Sequence, residues 1–158
     1  MGLEKSKIRT NKNWPSFKKR DRLAFIKNNQ ITMIITQSKP YAEIKKQLHP
    51  GDKVGIVACN VCARICGTGG QKGIEKLSKQ LKEDGFEVID TDLIGTPCVY
   101  NQLEATRLRG DVTIVLACES GLYTLQQVFP DKKLVAGIEA TGLGAVDKEG
   151  KPVLVKEI

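Results

Sequence analysis

The sequence predicts an α/β protein with an open, mostly parallel, Rossmann- or flavodoxin-like sheet, helices on both faces and a C-terminal hairpin. Apolar runs alternate with helical patterns along the chain, an order typical of parallel strands joined by helices. Residues 54–59 and 112–118 are apolar almost throughout, as expected for strands buried on both faces. A Lys-Glu-Gly turn at residues 148–151 before the apolar residues 153–155 predicts the hairpin.

The remaining elements follow from periodicity and from helix-end signals. Strands are expected at residues 31–36, 54–59, 86–94, 112–118 and 134–140. Helices are expected at residues 40–48, 71–84, 101–109 and 120–129. In the helix at 71–84, Ile74, Leu77 and Leu81 fall on one stripe, and Gly85 suits the position just after a helix end.

Length and composition place limits on the class of protein. The 158 residues suit one domain with a real core, so cysteines are not needed as staples. No run approaches the roughly 20 apolar residues of a membrane span, and none resembles a signal peptide. We therefore expect a cytoplasmic protein, where clustered cysteines more often indicate metal or redox chemistry than disulfides.

The net charge of +7 is concentrated at the N-terminus. Residues 1–32 hold nine Lys or Arg and two acidic residues, whereas residues 33–158 hold sixteen of each sign. This distribution argues against a nucleic-acid-binding domain. We expect a basic extension over residues 1–32, either a solvated tail or a docking arm, followed by a single α/β metal-binding domain over residues 33–158.

The five cysteines are the candidate chemistry. Cys59, Cys62 and Cys66 form a CxxCxxxC motif, while Cys98 follows a third apolar run and Cys118 ends a fourth. Parallel strands place their carboxyl ends at one edge of a sheet, where ligands bind, so all five thiols are expected to converge there. Thiolates bind zinc and iron–sulfur clusters, usually four per site.

Other interpretations of these residues stay open. Cys118 or Cys98 would suit a core position, because free cysteine is often buried. Cys59 and Cys62 would also suit a dithiol redox pair. The Gly-rich turn with Gly67, Gly69 and Gly70 is expected to bring backbone N–H groups close to a cluster, or alternatively to cradle a phosphate.

Residues outside the cysteine motif offer little catalytic chemistry. The only histidine, His49, falls at a predicted helix end, and Glu119 next to Cys118 is expected to be a loop charge. No catalytic residue is predicted.

Five segments together resemble a known family. They are MIITQSKPYAEI (33–44), KVGIVACNVCARICGTGG (53–70), GFEV (85–88), Pro97-Cys98 and VLAC (115–118). In this order they resemble the small zinc or iron–sulfur accessory subunit of methylenetetrahydrofolate reductase, also called the reductase C-terminal domain family, of anaerobic bacteria. The similarity covers about residues 33–140 and is weak over residues 137–158.

The resemblance implies a role beside a partner. The partner would be the flavin-containing (β/α)₈ catalytic subunit, with further electron-transfer subunits an option, in one-carbon metabolism. It implies metal ligation by Cys59, Cys62, Cys66, Cys98 and Cys118, with a single 4Fe–4S cluster as first choice or zinc, and no flavin of the chain's own. The chain is shorter than the roughly 250 residues of such a barrel. The alternative is a stand-alone structural zinc-binding or thiol-redox module.

Overall fold

The computed structural model describes residues 32–158, so the basic extension predicted for residues 1–32 lies almost wholly outside the described residues. The strands are β1 (Thr32–Ser38), β2 (Lys53–Cys59), β3 (Glu87–Ile94), β4 (Val112–Leu116), β5 (Lys133–Ala136), β6 (Ile138–Val146) and β7 (Pro152–Glu157). The α-helices are α1 (Tyr41–Lys45), α2 (Cys62–Ile65), α3 (Gly70–Glu83) and α4 (Glu119–Val128). A 3₁₀ helix covers Tyr100–Leu103.

Four strands form a parallel sheet in the order β3-β2-β4-β5. The two central strands, β2 and β4, are buried along nearly their whole length because both faces of the sheet are covered. Their Val and Ile side chains form the middle of the core. The α/β class with a parallel sheet is therefore confirmed.

The connections of this sheet run in both directions. The chain passes from β2 to β3 on one side through α3, and from β4 to β5 on the other side through α4. Crossovers between parallel strands are right-handed, so two crossovers that run in opposite directions put their helices on opposite faces.

Helix α3 shows how local sequence determines an element. Its buried stripe consists of Ile74, Leu77 and Leu81, as the periodicity predicts. Gly85 has a φ of +85° and ends the helix, because glycine adopts this left-handed conformation without a Cβ penalty. The Gly85 amide donates to the Lys82 carbonyl and the Phe86 amide to the Leu81 carbonyl. These two bonds form a Schellman motif.

The prediction of one sheet is wrong for the two ends of the described chain. Strand β1 pairs antiparallel with β6, and β6 pairs antiparallel with β7, which makes a second sheet in the order β1-β6-β7. The expected strand at residues 134–140 is divided at Gly137 between β5 and β6. A Cβ at Gly137 would lie 2.6 Å from Leu116 Cδ2, so the chain changes sheets at a position packed closely against β4. The predicted C-terminal hairpin is confirmed as β6–β7.

Two predicted helices are much shorter than expected. Helix α1 ends at Lys45, and the 101–109 helix is replaced by the 3₁₀ helix followed by irregular chain. Short apolar patterns do not by themselves stabilise a helix, because helix formation needs tertiary packing or length. Among residues 32–158, no helix is long and apolar enough to cross a membrane.

Candidate functional site

The five cysteines lie at or beyond the carboxyl ends of three adjacent parallel strands. Cys59 is the last residue of β2, and Cys98 follows β3 in a loop. Cys118 lies between β4 and α4, at the N-cap of that helix. Cys62 opens α2 and Cys66 directly follows it. The topology therefore carries all five toward the same edge of the sheet.

This edge contains the point where the strand order reverses. The chain leaves β2 toward β3 on one side, and β4 lies on the other side of β2. Open α/β sheets bind ligands at such a point, outside the carboxyl ends of the strands. Cys59 ends β2 and Cys118 follows β4, the two strands on either side of this point. The parallel sheet thus positions thiols where this architecture usually holds a cofactor or substrate.

The CxxCxxxC motif is folded around one helical turn. The Asn60 amide donates to the Ile94 carbonyl at 2.8 Å, which ties the chain after β2 to the end of β3. The Cys66 amide then donates to the Cys62 carbonyl at 3.0 Å. Residues four apart lie on the same side of a helical turn. The wider gap in the motif therefore keeps Cys62 and Cys66 on one side of α2.

The glycine-rich turn is packed against the ends of the central strands. A Cβ at Gly69 would lie 2.6 Å from the Ala63 Cβ and 3.0 Å from the Leu116 carbonyl oxygen. Gly67 and Gly70 have φ values of +71° and +66°. The turn therefore requires glycine for close approach at one position and for backbone conformation at the other two.

The backbone amides of this turn already have protein partners. The Thr68 and Gly69 amides both donate to the Ala63 carbonyl at 2.9 Å, and the Gly67 amide donates to the Arg64 carbonyl at 3.0 Å. These three groups close the turn onto α2 instead of pointing to a sulfur or a phosphate. A cofactor-binding role for Gly67, Gly69 and Gly70 stays a prediction, and their observed contacts are with the protein itself.

Two buried threonines connect the cysteine loop to the second sheet. The hydroxyl oxygens of Thr36 on β1 and Thr68 in the glycine turn lie 2.7 Å apart. The Thr68 hydroxyl also donates to the Ala63 carbonyl at 3.2 Å, so the Thr36 hydroxyl is the donor between the two. This pair could not be predicted from the sequence, because a threonine in an apolar strand does not indicate which distant residue its hydroxyl contacts.

Strand β1 also supplies backbone groups to the thiols. The Cys66 thiol donates to the Ile34 carbonyl at 3.7 Å. Burial raises the pKa of Cys62, and a backbone hydrogen bond with Ile34 offsets part of this rise. In an antiparallel pair, alternate residues turn their backbone groups away from the partner strand. Ile34 therefore contacts the cysteine loop along the edge of β1 that faces away from β6, a role that follows from the second sheet alone.

Cys62 lies near three other thiols. Burial raises the pKa of its thiol, and this effect exceeds the opposing hydrogen bond with Ile34. Charges at Cys59, Cys118 and Cys66 raise the pKa further. A thiolate at Cys62 would repel thiolates at all three, because like charges close together disfavour ionisation. The pKa of Cys62 thus depends on three of the other four cysteines.

Cys98 lies on another side of this group. Burial raises its pKa first, and Cys118 and Cys59 raise it too. Of the five cysteines, Cys98 alone is classed as exposed, whereas Cys59 is buried and the other three are half-buried. Cys59 and Cys118 therefore act on the pKa of both Cys62 and Cys98.

The thiols are not gathered into a closed metal site. Within residues 32–158, no three His, Cys, Asp or Glu side chains are grouped so that they could hold one ion. The Cys59 thiol donates to the Gly95 carbonyl at 3.8 Å and accepts from the Val61 amide at 3.4 Å. A donating S–H is protonated, whereas a metal ligand is a thiolate. Ligation by Cys59 would therefore require its sulfur to give up the contact with the Gly95 carbonyl.

Glu119 and His49, the two other residues considered from the sequence, both have structural contacts. Both carboxylate oxygens of Glu119 accept from the Ala140 amide, at 3.0 and 3.1 Å. This contact joins the first turn of α4 to β6. The His49 amide donates to Asp52 Oδ2 at 2.7 Å, and His49 is exposed at the end of the α1 segment. Glu119 therefore makes a structural contact, whereas the sequence predicted only a charged loop residue.

Comparisons with known proteins leave the family unassigned. No family model matches the sequence, and neither the curated proteins nor the solved structures include a significant match.

Proposed function

We propose that this chain is a cysteine-rich accessory subunit of a methylenetetrahydrofolate reductase, which holds a 4Fe–4S cluster and relays electrons to the flavin subunit. The observation that carries the proposal is the position of all five cysteines at or after the carboxyl ends of the adjacent strands β2, β3 and β4. The resemblance of residues 33–140 to the accessory-subunit family supplies the partner and the reaction. The order of the parallel sheet also supports a Rossmann-like classification, with the β1-β6-β7 sheet as an addition.

The donor set suits the cofactor in chemistry, because all five candidate donors are thiols, but among residues 32–158 no three of them are grouped so that they could hold one ion. Cys62 is electrostatically coupled to Cys59, Cys66 and Cys118. We propose these four as ligands, since four thiolates are the usual complement of such a cluster. When bound, the cluster would supply one-electron transfer. Cys98 would then remain as the accessible fifth thiol.

The chain's own residues would prepare the ligands. Ligation requires each thiol to lose its proton, and metal binding to cysteines therefore releases protons. The Ile34 and Gly95 carbonyls, which accept from Cys66 and Cys59 in the protonated state, would lose these donors. The Val61 amide already donates to the Cys59 sulfur and would continue to do so as an outer hydrogen bond to the ligand.

Anaerobic purification tests this proposal. We expect about four irons and four sulfides per chain, with a broad visible absorbance. Cys62→Ser should abolish both, while Cys98→Ser as a matched control should retain them. Protein without metal after anaerobic handling would contradict a cluster. Zinc in place of iron would retain the ligands and remove the electron relay.

A stand-alone thiol-redox module is the second candidate. The absence of a closed metal site among residues 32–158 favours it, as do the thiols that donate to carbonyls. Cys59 and Cys62 would then form the reactive pair. A metal-free Cys66→Ser variant that still reduces a disulfide substrate would support this candidate, and its complete inactivity would argue for ligation.

A further inference from the structure

The loop after β3 packs against the first turns of α4. A Cβ at Gly121 would lie 3.2 Å from Pro97 Cγ and 2.9 Å from the Ala117 Cβ, so both residues approach the same point of the helix. Cys98 directly follows Pro97, and Cys118 directly follows Ala117. The two chain segments that carry these cysteines therefore meet at the start of α4.

The backbone around Cys98 is held in this place by hydrogen bonds. The Val99 amide donates to the Thr96 carbonyl at 2.9 Å, which makes a turn with Cys98 at its third position. The Thr124 hydroxyl, buried on α4, contacts the Cys98 carbonyl at 3.5 Å. Cys98 is thus fixed to α4 through its backbone, and Cys118 is the N-cap of the same helix.

The Cys98 and Cys118 thiols are also electrostatic neighbours. Burial raises the pKa of Cys98, and Cys118 raises it more than any other cysteine does. Coulombic effects weaken with distance, so this ranking agrees with the packing of the two segments at α4. The Cys59 thiol is buried against the Gly95 carbonyl, and the Cys66 thiol donates to a carbonyl of β1. Cys118 is therefore the thiol best placed to react with Cys98.

We propose that Cys98 and Cys118 form a redox switch, which a small-molecule disulfide such as oxidised glutathione closes to an intramolecular disulfide in the metal-free protein. Cys98 is the exposed thiol, so its thiolate attacks one sulfur of the oxidant, forms a mixed disulfide and releases one glutathione thiolate. The thiolate of half-buried Cys118 then attacks the Cys98 sulfur and releases the second. The two protons of the protein thiols end on the two glutathione thiols, and the protein is oxidised by two electrons.

The disulfide would control the proposed metal site. This consequence rests on the proposed function, in which Cys118 is one of four ligands. A sulfur in a disulfide is not a thiolate, so closing the bond leaves three ligand thiolates and prevents a four-thiolate site. Exposed disulfides are readily reduced, so reduction would restore the fourth ligand.

Peptide mapping of the full, metal-free chain tests the bond. Reduced protein is incubated with oxidised glutathione at alkaline pH, its remaining thiols are blocked, and it is digested with trypsin without reductant. Cleavage after Arg107 and Arg109 puts Cys98 and Cys118 on different peptides. We expect these peptides to be linked in most of the oxidised protein. Cys118→Ser should instead retain glutathione on Cys98, while Cys66→Ser, the matched control, should form the link as wild type does.

Zinc binding tests the effect of the switch on the ligand set. Zinc is the probe because four thiolates bind it without sulfide or reductant, and the oxidised chain should bind it about tenfold more weakly than the reduced chain does. Cys98→Ser cannot form the bond, so it should bind zinc equally after both treatments.

The outcomes separate this inference from the proposed function. If Cys98 of the wild type keeps glutathione or pairs with Cys59, the inference is overturned and the proposed function stands. If the bond forms but the oxidised and reduced chains bind zinc equally, the switch is overturned. If the bond forms and the anaerobically purified chain carries no metal, the disulfide stands and the proposed function fails.

Discussion

The Thr36 and Thr68 hydroxyl oxygens lie 2.7 Å apart in the interior, where they join the antiparallel sheet to the turn after Cys66. Both side chains are at most 5% exposed, so neither exchanges this bond for water. The cysteine loop is thereby fixed to β1 as well as to β2.

Thr36→Val should destabilise the protein. The substitution keeps the shape of the side chain and removes the donor to Thr68, and a buried hydrogen bond contributes about 1 kcal/mol. Urea unfolding of the full chain measures the change in the free energy of unfolding. Thr36→Ser keeps the hydroxyl and should retain the bond, although it loses a methyl group. Equal stability of Thr36→Val and wild type would show that the bond contributes nothing.

Gly69→Ala should disturb the cysteine loop by steric overlap. The new Cβ would lie 2.6 Å from the Ala63 Cβ and 3.2 Å from the Cys59 carbonyl oxygen, and overpacking of this kind costs about 1–3 kcal/mol. The matched control is Gly51→Ala, at a turn with φ of +88° and no atom within 4 Å. Its cost of about 1 kcal/mol comes from backbone strain alone.

Metal content distinguishes the two glycine variants. Gly69→Ala should lower the iron or zinc bound per chain, because Gly69 lies against the backbone at the end of β2. Gly51→Ala should leave it unchanged despite a loss of stability. If both variants bind metal as wild type does, the glycine turn has no part in positioning the thiols.

Glu119→Ala should loosen the junction between α4 and β6. It removes the two contacts to the Ala140 amide, and a hydrogen bond to a charged group contributes about 1.5–3 kcal/mol, with the lower end expected at an exposed site. Hydrogen exchange should be faster at Ala140. Glu104→Ala, also at an exposed position, serves as the control. Unchanged exchange at Ala140 would contradict the assigned contact.

Alkylation of Cys62 in metal-free protein should depend on pH in a defined direction. The reactive species is the thiolate, and the raised pKa of Cys62 reduces its thiolate fraction at neutral pH. The alkylation rate should therefore be low at pH 7. It should level off only at a pH above the pKa of an ordinary thiol. Mass spectrometry of iodoacetamide-labelled peptides gives the rate at each pH.

Neighbouring cysteines contribute to the raised pKa of Cys62, so removing one of them should lower this pKa. Cys118→Ser removes one charge that raises the pKa of Cys62, and the alkylation profile should move to lower pH. The same substitution should lower the pKa of Cys98 for the same reason. Profiles that do not move would show that the thiols are too far apart to interact.

Much of the parallel half could be predicted from residue patterns. The continuous apolar runs of β2 and β4 indicate double-sided burial, and the stripe on α3 with Gly85 after it indicates both a face and an end. These signals are local, because each depends on residues within one element. The placement of Cys59 and Cys118 after such runs follows from the same reasoning.

The antiparallel half could not be predicted in this way. The apolar run of β1 has the same composition whether its neighbour is parallel or antiparallel, and its partner β6 lies about a hundred residues later. The helix expected near residues 101–109 failed for a similar reason, since its short pattern carries no information about what packs against it.

The sequence by itself determined the α/β class, the buried central strands, the end of α3 and the position of cysteines at the strand ends, because these depend on composition and short-range periodicity. Tertiary structure alone decided that β1 leaves the parallel sheet, that Ile34 and Thr36 serve the cysteine loop, and that Glu119 holds β6. Each of these depends on a contact between distant segments, and such contacts are selected by the packing of the whole chain.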